Sequence, residues 1–554
     1  MDETFDFVVV GSGAGSMTAA LVMRSQGKRV LVLEKTDLVG GTTATSGGVM
    51  WLPNNRLMKG EDSPEKALTY LEALAEGQDD APGVTRERRA AFVEEAPKML
   101  EFLTRQGLKF HRIPVYPDYY DSPGSVQTSR TVGADIFDLN QLGDWKTKTR
   151  PGFLPVPATI EEAFNLPWMK KSKAARKVMG KIAMRVMLAK LTGKKLVSGG
   201  AALQGQLLKA ALKAGVEIRL NAPVKQFLVE GGRVTGVLAE IDGAERRIGA
   251  VSGVLINAGG FSRNQAMRDK YIPGTQVAWT NTANGDTGEV IQEAMRLGAA
   301  VGQMGELVGQ PVALVPGRPS AGMMHGDVTK PHSILVDQSG VRFMNEAQSY
   351  VEVTRGLIER NKQSPALPSW LIMDSQYMAN YMFAGTMPGS AKPQAWYDQG
   401  FLKQADSIEE LAKACGLDPA TLKSTVERFN SFVASGKDED FKRGDRFYDL
   451  WLGDPTVSGK AQTLGAVDQG PFYAVQIYPG DVSTFGGLVT DANARVLKAD
   501  ASAIPGLYAT GTSTASVMGR RSPGAGASIG PAMTFAYIAA KHAAHADNLV
   551  EAAA

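Results

Sequence analysis

The residues with the clearest chemical reading are two glycine-rich runs at opposite ends of the chain. Gly11-Ser12-Gly13-Ala14-Gly15-Ser16 follows the apolar stretch Phe5-Asp6-Phe7-Val8-Val9-Val10 and precedes a helical pattern through Ala19, Ala20 and Val22. Glycines in that position let the backbone turn tightly and bring its N–H groups onto a pyrophosphate at a helix N-terminus. Glu34 ends the next apolar run, Val30-Leu31-Val32-Leu33, 23 residues past Gly11. A carboxylate at that spacing accepts hydrogen bonds from ribose hydroxyls. The second run, residues 519–533, is a Gly/Pro-rich loop entering Pro531 and then the apolar pattern Ala532, Met533, Phe535, Ala536, Ile538 and Ala539. It too opens a helix whose positive end can face a ligand.

These loops need strands to hold them. The first run reads as a βαβ unit, with Ser16 standing where a third glycine is usual. Gly41, Thr42, Thr43, Ser46, Gly47 and Gly48 form a second Gly/Thr-rich segment soon after Glu34. Its backbone can run along a flavin, which points to FAD rather than NAD. Val254-Leu255-Ile256-Asn257-Ala258-Gly259-Gly260 and Ile504-Pro505-Gly506-Leu507-Tyr508-Ala509-Thr510-Gly511 read as further strands ending in close-approach turns. Strands alternating with helices predict an α/β fold with a parallel sheet.

Composition narrows the function classes. At 554 residues the chain is long enough for two or three domains, and its net charge of +3 does not suggest nucleic acid as a partner. One cysteine, Cys415, excludes a disulfide framework or a Cys-ligated cluster and fits a reducing, cytoplasmic setting. The five histidines show no zinc-type spacing, so no metal is expected. No leader peptide and no transmembrane run are expected either.

The chain resembles the fumarate reductase/3-ketosteroid dehydrogenase group of FAD enzymes, and within it the 3-ketosteroid Δ1-dehydrogenases. The resemblance runs through the N-terminal site and Asp118-Tyr119-Tyr120. It continues in Arg342-Phe343-Met344-Asn345-Glu346-Ala347-Gln348-Ser349-Tyr350, Tyr478-Pro479-Gly480-Asp481 with Gly486-Gly487, and the C-terminal loop. It implies a discontinuous Rossmann-type FAD-binding domain, residues 1–272 and 477–554, with an α+β capping domain over 273–476. Beyond the residues above, it implies that Lys35, Val224, Gly259, Gly511, Ser528 and Ile529 line the cofactor. Phe485 would face the substrate, and Arg520 and Arg521 either clamp it or are solvated and brace the loop.

The family reaction removes two hydrogens from adjacent ring carbons beside a ketone. That chemistry needs a polarised carbonyl, an activated base and a flavin over the ring. The resemblance puts the base on Tyr350, assisted by Tyr119 or Tyr120, and the ketone oxygen on Gly526 N–H. A tyrosine of ordinary pKa near 10 is a poor base at neutral pH, so it needs a partner. Fumarate-reducing relatives are similar but carry an arginine at the Tyr350 position and a histidine ahead of Gly486-Gly487. Neither stands here, which favours ketone dehydrogenation with reoxidation by an external electron acceptor.

One position departs from the family pattern. Four residues before Gly526, where a carbonyl-binding tyrosine is expected, stands Ser522. Ser522 acts through a water, or Arg520 or Arg521 polarises the ketone, or the substrate is not an ordinary 3-ketosteroid. A smaller cyclic ketone, a keto acid, ene reduction and a flavin-binding protein without turnover are the alternatives.

An inserted basic segment, 165–195, completes the reading. From 168 to 195 it carries ten lysines and arginines and no acid, with Ala175, Val178, Met179, Ile182 and Val186 at helical spacing. That pattern predicts peripheral contact with an anionic membrane face, a helix packed on the protein with a solvated basic face, or an oligomer contact.

Overall fold

A computed structural model describes residues 1–78 and 81–551. The chain opens with β1 (Glu3–Val10), α1 (Ala14–Ser25) and β2 (Val30–Leu33). All four β2 residues are buried, as are Phe7, Val8 and Val9, because helices and loops cover both faces of a parallel sheet. Next come α2 (Gly41–Thr45), α3 (Pro64–Ala75), α4 (Arg86–Arg105), α5 (Lys173–Leu191) and α6 (Gly199–Lys213). β3 (Glu217–Arg219) then pairs with β2. An antiparallel meander of β4 (Val224–Glu230), β5 (Arg233–Ile241) and β6 (Ala244–Ile256) returns the chain to β1.

A second, antiparallel sheet follows. It contains β7 (Leu307–Ala313), β8 (Ser333–Val336), β9 (Ser369–Met373), β10 (Leu402–Ala405) and β11 (Phe472–Thr484), with α7 (Tyr350–Asn361) and α8 (Phe447–Trp451) between them in sequence. Its path is β7-β11-β9-β8, with residues 322–323 outside β7 and β10 also on β11. The expected division after residue 476 falls inside β11, which stays paired with β7 as far as Thr484.

The chain then rejoins the first sheet through β12 (Arg495–Leu497) and β13 (Ala503–Ala509) and ends in α9 (Ile529–Glu551). The completed first sheet has eight strands, in the path β12-β13-β6-β1-β2-β3 with β5 and β4 beyond β6. β6, β1, β2, β3 and β13 run parallel, so their C-terminal ends open on one side. In such sheets ligands bind outside those ends. The small residues of α1 and α9 let the two helices pack closely, and a Cβ on Gly15 would stand 2.9 Å from the Ala532 carbonyl.

Candidate active site

The cofactor residues gather at the strand ends. Gly11 closes β1 at φ +97°, and a Cβ there would lie 2.3 Å from the Asn257 carbonyl, so only glycine fits. Gly13 precedes α1 without a side-chain cap, and the Ala14 N–H donates to Thr43 Oγ1 at 3.2 Å. α2 starts at Gly40 with no side-chain cap, leaving its first amide donors open to an anion. Gly41, at φ +49°, faces open space where a Cβ would meet nothing within 4 Å. Gly48 is the opposite case: its Cβ would be 2.2 Å from the Gly199 carbonyl carbon. Ser46 Oγ accepts from Gly48 N–H at 3.0 Å, and Thr42 Oγ1 accepts from Ala283 N–H at 3.0 Å.

Glu34 is buried and well held. Ser12 Oγ donates to its Oε2 at 2.5 Å, and Thr36 donates to Oε1 from N–H at 3.0 Å and from Oγ1 at 2.9 Å. A carboxylate has room for one or two more donors, so a ribose hydroxyl still fits. Val224 opens β4 beside it; the nearby Ala222 N–H donates to Glu34 O at 2.9 Å. The Gly259 carbonyl accepts from Ser513 Oγ at 2.7 Å, fastening the end of β6 to the turn at Gly511. Ser528 and Ile529 start α9, whose Ala532 N–H donates to Ser528 O at 3.2 Å. Lys35 departs from expectation: its Nζ donates to Thr287 Oγ1 at 2.7 Å and pairs with Glu289, because its long stem reaches a carboxylate there. The uncapped amides, the open space at Gly41 and the held Glu34 fit FAD.

At the ketone end the structure separates the two tyrosine candidates. Tyr119 Oη donates to Tyr350 Oη at 3.3 Å, with the rings edge-on at 5.6 Å. Tyr120 turns away and donates to Glu352 Oε1 at 2.7 Å. Burial pushes the Tyr350 phenol above its usual pKa of 10, and the hydrogen bond from Tyr119 opposes that rise. Burial also pushes Tyr119 well up, with the neighbouring Tyr350 adding to it, so Tyr119 remains a donor. Tyr350 is the first residue of α7, where the helix dipole favours negative charge.

Gly526 and Ser522 differ in what they offer. Gly526 sits at φ +97° with a would-be Cβ only 2.5 Å from Trp51 N, and its carbonyl accepts from Trp51 N–H at 3.1 Å. Its own N–H has no partner among the described residues. Ser522 is 3% exposed, and its Oγ makes a long contact of 3.5 Å to Gly524 O within the loop.

Arg520 and Arg521, candidates for the substrate or for bracing the loop, sit differently. Arg521 Nη1 donates to Leu74 O at 3.3 Å, in the last turn of α3, where free carbonyls attract a cation. The Arg521 guanidinium lies 6.0 Å from the Tyr120 ring centroid. Arg520 has an exposed side chain and a bound backbone: its N–H donates to Gln78 Oε1 at 2.8 Å, and its carbonyl accepts from Arg355. Phe485 is buried in an apolar cluster with Val308 and Val351, against which Tyr350 packs.

Several residues around Tyr350 carried no signal in the sequence. Tyr116, Phe164 and Trp451 meet at 5.0–5.5 Å between ring centroids, and Tyr448 lies 4.7 Å from Tyr119. They come from three distant segments with no common spacing. His325 lies tilted against Tyr350 at 5.5 Å between ring centroids, with Gln310 Nε2 2.6 Å from its Nδ1, and burial lowers its pKa to about 4. Tyr350 therefore has a neutral imidazole beside it.

The Arg342-to-Tyr350 motif builds the frame for this wall. Glu346 accepts from Arg342 Nε and Nη2 at 2.8 Å each and from Arg443 Nη1 at 3.1 Å. Arg342 also holds Asp438 at 2.7 Å, and Asn345 Nδ2 donates to Asp449 in α8 at 2.9 Å. Ser349 caps α7. α7, which Tyr350 opens, and the helix carrying Tyr448 and Trp451 are thus fixed to each other. On the other side, Asp118 accepts from Trp51 Nε1 at 2.8 Å and from Arg130 at 2.5 Å, which anchors the Tyr119 segment.

The inserted helix α5 corrects one expectation. Ala175 and Ile182 are buried and Val178, Met179 and Val186 half-buried, so the apolar face legible in the sequence packs on the protein. A second stripe faces solvent: Met184, Met187, Leu188 and Leu191 are 53%, 48%, 51% and 76% exposed. Among the described residues no helix is long and apolar enough to cross a membrane.

The FAD binding domain family matches residues 6–529. The chain is 40% identical over 563 residues to a 3-oxosteroid 1-dehydrogenase of Mycobacterium tuberculosis, covering 98% of each. It is 33% identical over 566 residues to a 4-oxocyclohexanecarboxylate 2-dehydrogenase of Sinomonas cyclohexanicum, covering 97% of this chain and 92% of that one. The crystal structure of 3-ketosteroid Δ1-dehydrogenase from Sterolibacterium denitrificans in complex with 1,4-androstadiene-3,17-dione matches with a TM-score of 0.92 at 37% identity. That match covers 98% of this chain and 100% of the other. With near-complete coverage in sequence and fold, the chain belongs to the FAD-dependent 3-oxosteroid 1-dehydrogenase family, oxidoreductases that act on CH–CH groups.

Proposed function

We propose that this site desaturates a 3-ketosteroid between C1 and C2 with Tyr350 as the base. The observation that carries the reading is the hydroxyl pair, in which Tyr119 donates to Tyr350 at 3.3 Å inside an aromatic wall. A donor held on the oxygen that must become anionic favours the phenolate, and the start of α7 adds to it. Tyr350 Oη takes the proton from C2, the C2–H electron pair moves toward the carbonyl, and Gly526 N–H donates to the ketone oxygen as it gains charge. Bound FAD supplies the hydride acceptor for the C1 hydrogen. A separate electron acceptor then completes turnover.

The apolar aromatic cluster of Tyr116, Phe164 and Trp451, packed edge to face and tilted, suits fused-ring hydrocarbon. Anaerobic mixing with androst-4-ene-3,17-dione should bleach the flavin within a turnover, while cyclohexanone-type ketones and fumarate leave it oxidised. Bleaching by the small ketones and not by the steroid would reverse the assignment.

The partner of the exposed face of α5, on this reading, is an anionic lipid surface. Four solvent-facing apolar side chains lie among lysines with no acid in the segment, which is the charge and shape such a surface attracts. It would let the site draw substrate from a bilayer. Salt-reversible binding to anionic vesicles is expected; equal binding to neutral vesicles would remove the electrostatic part.

A further inference from the structure

One buried cation has no anion to answer it. Arg88, in the first turn of α4, is 2% exposed and forms no ion pair with a carboxylate among the described residues. The carboxylate whose field it feels, Asp491, is itself paired with Arg495 at 2.6 Å. Both hydrogen bonds of Arg88 to described side-chain or backbone acceptors leave from Nη1, to Gly83 O and to Ala515 O at 3.1 Å, and its buried Nε has no partner. The guanidinium lies 5.1 Å from the Phe535 ring centroid. Burial lowers its pKa to about 10, which leaves it charged at neutral pH. An uncompensated buried charge is costly, so the fold keeps it against a penalty.

Arg88 lines a cleft together with Gly511, Thr512, Ser528, Pro531 and Phe485. Gly511 and Ser528 belong to the cofactor loops, and Phe485 packs with Tyr350. The cleft also lies at the N-terminus of α9, a helix of 23 residues whose dipole adds charge of the same sign. Two independent sources of positive charge therefore converge where the cofactor loops meet the base.

We propose that Arg88 is the electrostatic partner of the reduced flavin and sets its potential. The inference rests on the FAD reading. Receipt of a hydride from C1 adds two electrons and one proton to the isoalloxazine, a net gain of one negative charge, while the C2 proton goes to Tyr350. A fixed cation in a dry site favours that anion over the neutral oxidised ring without any reorganisation. Tyr119, Tyr350 and Gly526 are committed to the ketone and do not supply this charge.

The test compares holoenzymes of Arg88→Met, Arg88→Gln and Arg88→Lys. Flavin content is measured first, which separates failure of cofactor binding from loss of charge. In the neutral variants the reduced form should be disfavoured at least tenfold, a fall of about 30 mV for a two-electron couple. Affinity for sulfite, which adds its electron pair at flavin N5 and leaves the ring anionic, should fall in parallel, and Arg88→Lys should keep most of both. Unchanged potential and sulfite affinity in FAD-loaded Arg88→Gln would overturn the proposal and leave Arg88 as a strut between Gly83 and Ala515. If the neutral variants hold no FAD, the unmodified holoenzyme decides. Its reduced flavin should show the anionic spectrum at mildly acidic pH, and a neutral reduced spectrum there would overturn the proposal.

Discussion

The two hydroxyls at 3.3 Å make opposite demands on the same proton chemistry. Tyr350 must lose a proton in a site whose burial holds its pKa above 10, and Tyr119 must keep its own. Tyr350→Phe should lower kcat/KM by about 10²–10⁴ in a steroid assay, the usual loss for a general base. Tyr119→Phe removes one hydrogen bond to a charged oxygen and should cost about 10- to 100-fold. Tyr120→Phe, which disturbs only the bond to Glu352, should leave kcat near wild type. Because the base works deprotonated and its pKa is raised, kcat/KM should climb with pH through the neutral and alkaline range and not level off below the ordinary tyrosine value. A plateau in the mildly acidic range would point to another base. Ser522 offers a sharper contrast. Its hydroxyl is bound within its own loop, so Ser522→Ala should lose less than about tenfold, against the roughly 10²–10³ that removal of a working oxyanion donor costs.

At the level of elements, α7 and α8 act as a pair. Neither would place its aromatic side chain without the other, since Asn345 ahead of α7 holds Asp449 inside α8. The loop at 519–530 is fixed in the same way by remote elements: Tyr70 Oη donates to Pro523 O at 2.8 Å and Tyr119 N–H to the same carbonyl at 3.0 Å. α5 is different, because its outer stripe of Met184, Met187, Leu188 and Leu191 is exposed. Met184→Glu with Leu188→Glu should weaken binding to anionic vesicles more than about tenfold by adding two like charges and removing apolar anchors. The same double variant should leave kcat with a water-soluble ketosteroid unchanged. Co-sedimentation and a standard dye-coupled assay read the two effects separately.

Across the whole molecule, the site lies between two sheets, and a buried ion network keeps the second one in shape. Burial would raise the Glu346 pKa, but Arg342 and Arg443 outweigh it and hold it below 4.5. That share of stability is present above the ordinary carboxylate range and is lost as pH falls through the lowered value. Glu346→Ala leaves two buried arginines facing one fewer carboxylate and should cost about 3–5 kcal/mol in denaturant unfolding. The cofactor half of the molecule was legible in the sequence. Gly11, Glu34, Gly41 and the strand ends near Gly259 and Gly511 act through backbone geometry and local spacing, which linear order records directly. The Tyr350 motif was legible too, as a resemblance. The choice between Tyr119 and Tyr120 was not, because adjacent side chains in an irregular segment diverge according to what packs around them. The aromatic wall, the second apolar stripe of α5 and the unpaired charge of Arg88 were hidden for the same reason. By itself, then, the sequence determined a nucleotide-binding α/β chain and singled out a tyrosine as the candidate base, since those depend on short-range turns and spacing. Only the tertiary structure decided which tyrosine meets Tyr350, which loop N–H lacks a partner among the described residues and where buried charge accumulates, because each depends on contacts between segments hundreds of residues apart.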